Sequence, residues 1–188
     1  MRSSILVMLA LCTPAAADGG YLTESIGGGA YQGELGRFSS GEARLQVGGG
    51  YVRGPWALEA SATIYIPDFY YIDCYGDECL AAQAPPAGLV IANLDLRHAW
   101  RVLRPTWTRK VGLDMVLHGG PRWAAGETAL TGYAGPGLGG GATLDLNLKL
   151  FSMFVDLGMD LALLRGSDGD VLTAKLPYVA CGFRLGWM

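Results

Sequence analysis

From Ala142 to Leu150 every second residue is apolar, through Ala142, Leu144, Leu146, Leu148 and Leu150, with Thr143, Asp145, Asn147 and Lys149 between them. The pattern returns from Met153 to Leu163, where Met153, Val155, Leu157, Met159, Leu161 and Leu163 alternate with residues that include Asp156, Gly158 and Asp160. A period of two sends alternate side chains to opposite faces of a β-strand. A helix would smear both classes around its axis, so neither segment is read as helical. Each ladder has the roughly 9–11 residues that a tilted strand needs to cross a bilayer. One face is wholly apolar and the other carries charge.

Charged residues make up 16% of the 188-residue chain, against about 25% in an average soluble domain. Beyond its first residues the chain has no unbroken apolar run of the length a spanning helix uses. A closed barrel pairs every backbone group between strands and can sit in lipid without helices. The expected fold is all-β: an eight-stranded antiparallel transmembrane β-barrel, an up-and-down meander with an apolar exterior and a polar interior. A soluble barrel with the faces reversed would expose mostly Gly, Ser, Thr and Asp, and the low charge argues against it. The 29 glycines suit a narrow barrel whose wall crowds its own interior. They also weaken any case for long helices.

The start of the chain reads as a signal. Arg2 is followed by the apolar run Ile5 to Leu11 and by Ala15-Ala16-Ala17, the pattern of a cleaved secretory signal peptide. The domain expectation is a signal at 1–17 and a barrel at 18–188. The net charge of −3 gives no basic patch for nucleic acid.

Eight strands can be laid out: Tyr21–Gly33, Glu42–Val52, Trp56–Ile66, Gly88–Arg101, Arg109–Gly119, Ala142–Leu150, Met153–Leu163 and Lys175 to the end. Leu146 falls at the midpoint of the sixth. A parity flip near Phe151–Ser152 marks a tight turn, and Pro121 to about Gly132 reads as a loop. The connections after strands three, five and seven are long and acidic. Those after strands two, four and six are short and flanked by bases, among them Arg53, Arg101, Arg104 and Lys149. Outer-membrane barrels show that alternation of long extracellular loops and short periplasmic turns.

Near the C-terminus Val179, Cys181, Phe183, Leu185 and Trp187 alternate with Ala180, Gly182, Arg184 and Gly186. An amphipathic last strand closing on an aromatic resembles the end of bacterial outer-membrane barrels, with Met188 after Trp187 as a small departure. Together with the signal and the strand count, the chain resembles small outer-membrane barrels of the OmpA/OmpX type. That resemblance implies residence in the cell outer membrane as a monomer in contact with outer-membrane lipid. It also implies that Phe183, Leu185 and Trp187 are read by the barrel-assembly machinery. It carries no functional residues across.

The inward positions hold Arg44, Glu59, Asp95, Arg97, Asp114, Asp145, Lys149, Asp156, Asp160 and Arg184. Eight strands enclose just enough space for side chains to fill, and buried charges must pair. The expectation is a plugged, ion-paired interior in which carboxylates outnumber bases. Of the two histidines, His98 lies on the apolar face two residues from Trp100 and reads as an interfacial residue. His118 lies on the polar face near the outer end of strand five, at a pore mouth. No His-x-Ser accompanies it, and an activated Ser needs an adjacent base. The triplets Gly27–Gly29, Gly48–Gly50 and Gly139–Gly141 precede no Lys-Ser/Thr and read as packing sites rather than phosphate loops. Cys74 and Cys79 share one exported acidic loop and read as a local disulfide. Cys181 reads as a small apolar residue facing lipid. No catalytic, cofactor or metal set emerges. The expected role is non-enzymatic, in envelope structure or surface interaction through the loop Asp68–Glu78. The alternatives are a narrow channel for small solutes and a lipid-modifying enzyme; no extracellular partner is identified.

Overall fold

The computed structural model describes residues 18–29, 32–33, 43–66, 74–75, 78–79, 89–104, 110–125, 132–148 and 151–187. Eight long strands run through them: β1 Gly19–Gly29, β2 Ala43–Arg53, β3 Trp56–Ile66, β4 Leu89–Leu103, β5 Val111–Ala125, β6 Ala134–Asn147, β7 Phe151–Arg165 and β8 Val171–Trp187. Each pairs antiparallel with the next, and β8 closes on β1, with Gly20 opposite Trp187 and Gly29 opposite Tyr178. The wall therefore has no open edge, and its backbone groups find partners on neighbouring strands. This is the eight-stranded meander expected from the alternation. The segment 1–17, read as a signal, lies outside the described residues.

The barrel is strongly staggered. From Gly20 the ladder leads across to Tyr51, Leu58, Leu96, Gly119, Leu138, Leu161 and Lys175, and returns to β1's continuation at Gln32. One circuit thus climbs twelve residues, from position 20 to position 32. Stagger, tilt and diameter are linked in a closed sheet. A large stagger tilts the strands steeply and widens an eight-stranded wall, which makes room inside for long side chains.

Several strand limits differ from the sequence expectation. β1 ends at Gly29, and Gln32–Gly33 is a separate short piece paired with Lys175 and Ala174. β5 continues through Pro121 to Ala125 where a loop was expected, because Pro121 lies opposite Pro136 and points outward while Arg122 turns in. β6 begins at Ala134, eight residues before the clear ladder, since glycines at 135, 137 and 139–141 carry no apolar signal. The turn between β6 and β7 precedes Phe151 rather than falling on Phe151–Ser152: Ser152 already pairs with Asn147, and Leu148 N–H donates to Phe151 O at 2.9 Å. β8 starts at Val171. The β2–β3 turn is Gly54-Pro55, with Gly54 at φ +58°, a left-handed conformation that glycine adopts without strain.

The outer face is an apolar band. Leu22, Ile26, Val47, Leu58, Leu96, Leu117, Leu138, Leu144, Val155, Leu157, Val179 and Phe183 are all exposed on it. Glu24 interrupts the band, between Val47 and Phe183 on the adjoining strands. Cys181 is a free, exposed thiol on this face, as its parity implied.

Inside, the barrel has two layers. At the end that carries the long connections, Tyr65, Leu89, Ile91, Ala124, Leu164, Ala174 and Leu176 form a buried apolar cap, with Tyr133, Leu172 and Tyr178 against it. The polar residues lie below it, towards the short turns. The cap was not foreseen in the sequence. Its signal is the loss of alternation at the strand ends: Ile64-Tyr65-Ile66 and Leu89-Val90-Ile91 are apolar on both faces.

Candidate functional site

The candidate site is the polar interior below the cap. Its wall is cut back where its side chains are largest. A Cβ on Gly137 would stand 2.6 Å from Arg122 Nε, and one on Gly139 would stand 2.5 Å from His118 Nε2. The glycines of β6 are thus the seats of two interior side chains contributed by β5, a close approach that only a residue without Cβ permits.

Three clusters run up the interior. Nearest the short turns, Arg101 bonds Asp114 through both Nε and Nη2, and Nη2 also lies 3.2 Å from Asp145 Oδ2. Asn147 donates to the other oxygen of Asp145 at 2.9 Å. In the middle, the Tyr21 hydroxyl donates to Glu59, Arg97 lies 3.6 Å from the same carboxylate, and Arg97 Nη2 donates to Thr143 Oγ1 at 3.3 Å. Uppermost, Asp95 meets Arg122 Nη1 at 2.7 Å and His118 Nδ1 at 3.5 Å, while His118 Nε2 lies 3.1 Å from Asp160. Two further arginines rest on rings. Arg44 lies 4.2 Å above Tyr178 and bonds Gln46, and Arg184 lies 5.3 Å from Tyr21 and 5.1 Å from Phe154. Stacking of that kind suits the weakly hydrated guanidinium.

Of the ten inward charges read from the sequence, the structure brings nine into this interior; the tenth, Lys149, lies outside the described residues. Two arginines were missed. Arg101 was read as a base flanking a turn, but β4 runs on to Leu103, and Arg101, on the same inward parity as Asp95 and Arg97, lies opposite Asp114 and bonds it. Arg122 was placed in a loop that is strand. His118 is not at the rim: β5 extends seven residues beyond it, so it sits mid-barrel between two carboxylates. With these two arginines the expected surplus of carboxylates narrows. Among the described residues, five inward arginines and His118 face the six carboxylates Glu59, Asp95, Asp114, Asp145, Asp156 and Asp160.

A cavity of about 90 Å³ remains between the clusters, bordered by Arg44, Asp95, Arg97, Asp156 and Asp160. Asp156 Oδ1 and Arg44 Nη1 are buried beside it without a hydrogen bond to the described residues. A polar space of that size holds several waters. Each His118 nitrogen faces a carboxylate oxygen rather than a hydroxyl, so the ring holds no serine in the position of a nucleophile. On the outer face, His98 sits between Trp56 and Trp100, each ring centroid 4.3 Å away, in keeping with an interfacial position. The backbone sets Cys74 directly opposite Cys79 in a two-residue ladder; their side chains, and that of Trp187, lie outside the described residues.

No protein-family model matches the chain, and neither does any curated protein. Among solved structures, Neisserial surface protein A (NspA) matches with a TM-score of 0.59 at 12% identity, over 91% of this chain and 99% of that one. The N-terminal β-barrel domain of Pseudomonas aeruginosa OprF matches at 0.46 and 10% identity, over 92% of this chain and 100% of that one. Ail, the attachment invasion locus protein of Yersinia pestis, matches at 0.44 and 13% identity, over 90% of this chain and 100% of that one. The chain has the fold of the small eight-stranded outer-membrane β-barrels.

Proposed function

We propose that this is a non-enzymatic barrel of the bacterial outer membrane, exported by its signal at 1–17, with an envelope-structural or surface-interaction role. The observation that carries this reading is the apolar outer band around a closed wall whose interior is polar below and capped above. Lipid accommodates such an exterior, and water does not. The short-turn end would face the periplasm, with Phe183 and Leu185 exposed on β8 as the assembly signal.

The capped, ion-paired interior favours a structural barrel over a channel. The protein reconstituted in planar bilayers is therefore expected to show no steady stepwise conductance at rest; regular ion-conducting steps would support the channel reading instead. The acidic loop Asp68–Glu78, read as the interaction surface, lies largely outside the described residues.

Directly opposed antiparallel residues hold their Cβ atoms about 4.5–5.5 Å apart, close to the roughly 3.5–4.5 Å of a disulfide, so the opposed Cys74 and Cys79 are proposed to be bonded. Alkylation of the unreduced mature protein is expected to label Cys181 alone. Labelling of Cys74 and Cys79 would contradict the bond. Closing so short a loop stabilises by less than the roughly 3 kcal/mol of a 15-residue loop, so the barrel should survive reduction.

A further inference from the structure

One groove on the outer face is built differently from the rest of the band. It has a volume of about 420 Å³ and is walled by Leu96, Leu117 and Leu138, with Gly119 in its floor and Trp56, His98 and Trp100 at its lower end. Gly119 removes one side chain from an otherwise filled leucine surface and leaves a trough running up the wall. The three leucines are about half exposed, so the trough opens sideways. A narrow apolar trough suits one hydrocarbon chain.

Its lower end is polar. His98 Nδ1 is buried between the indoles and unbonded among the described residues. Directly opposite Trp56, across the β2–β3 ladder, stands the exposed Arg53. Lys110, also exposed, lies at the same end of the barrel. Of the acids there, Asp114 and Asp145 are held inside by Arg101, and Asp18 bonds Gly54 N–H at 3.0 Å. From the short-turn end inward, the order is therefore cation, hydrogen-bond donor, apolar trough. A glycerophospholipid presents phosphate, ester carbonyl and acyl chain in the same order.

We propose that this groove is a binding site for one anionic glycerophospholipid of the leaflet at the short-turn end. The phosphate lies at Arg53, an ester carbonyl accepts from the His98 imidazole, and one acyl chain lies in the trough over Gly119. The site rests on the membrane reading above. It differs from general solvation by lipid in its preference for negative charge at a single position.

The test is native mass spectrometry of the full barrel folded in a maltoside detergent, titrated with phosphatidylglycerol and separately with phosphatidylcholine. The parent is expected to retain one phosphatidylglycerol about fivefold more tightly than phosphatidylcholine, the effect of one cation on an anionic headgroup. Arg53→Gln should abolish that preference, and Gly119→Leu should weaken both lipids by filling the trough. A Cβ on Gly119 would lie 3.2 Å from Gly137 O and from Leu138 Cδ1, which is tight. His98→Leu, which removes only the donor on the outer face, is therefore the second variant and should also lower retention. A heat-modifiable gel shift on the same samples reports folding. Equal retention of the two lipids by a folded parent overturns the site and leaves the membrane reading standing. So does undiminished phosphatidylglycerol retention by folded Arg53→Gln and His98→Leu. A chain that shows no folded form in detergent overturns both.

Discussion

Asp95→Ala is expected to destabilise the barrel by about 3–5 kcal/mol, the cost of breaking a buried ion pair by removing one partner. Asp95 is 8% exposed and lies 2.7 Å from Arg122, for which no second carboxylate stands within pairing distance among the described residues. Arg122 is itself 5% exposed and seated over Gly137. The substitution also takes from His118 one of its two acidic neighbours. The measurement is the denaturant midpoint of parent and variant in the same detergent. A loss near the 0–1 kcal/mol of exposed pairs would mean that water screens the cluster and that the interior is open.

Leu157→Arg is expected to cost about 2–4 kcal/mol, while Leu146→Arg costs about 0–1, because the penalty for a cation on a lipid face falls from the bilayer midplane to the interface. Leu157 is 61% exposed near the middle of β7, between Ala142 and Val179 on the adjoining strands. Leu146, expected at the centre of its strand, is one residue from the end of β6 and pairs with Val111, the first residue of β5. Both are leucines on the same face. Equal and small effects, within the roughly ±0.5 kcal/mol of an ordinary surface change, would mean that no hydrocarbon surrounds the wall.

What was legible in the sequence was whatever strict alternation encodes. β3 was bounded at Trp56 and Ile66 without error, because its apolar and polar residues alternate and Gly54-Pro55 and Pro67 punctuate it. Nine interior charges were assigned by parity alone. Parity fails in two physical situations. Glycine carries no hydropathy signal, so the first half of β6 was invisible although its glycines seat Arg122 and His118. Proline on an outward position looks like a loop, and the Pro121–Pro136 pair concealed six residues of β5 and with them the cation of the uppermost cluster. The cap was missed for a different reason. Where both faces are apolar, alternation cannot tell an inward leucine from an outward one, and only closure of the barrel brings Leu89, Leu164 and Leu176 together. The contacts that pair the charges, such as Arg97 with Glu59 across β3 and β4, depend on register, which no single strand reports.

The central claim is that this wall folds only against lipid. Its most direct measurement is to dilute the urea-unfolded mature chain into phosphatidylcholine vesicles and, in parallel, into buffer alone, and to run both unheated and boiled on a gel. The account predicts a faster-migrating, β-rich form in the vesicle sample that boiling abolishes, and aggregated or unfolded chain in buffer. A compact, β-rich monomer in buffer without lipid or detergent would contradict it.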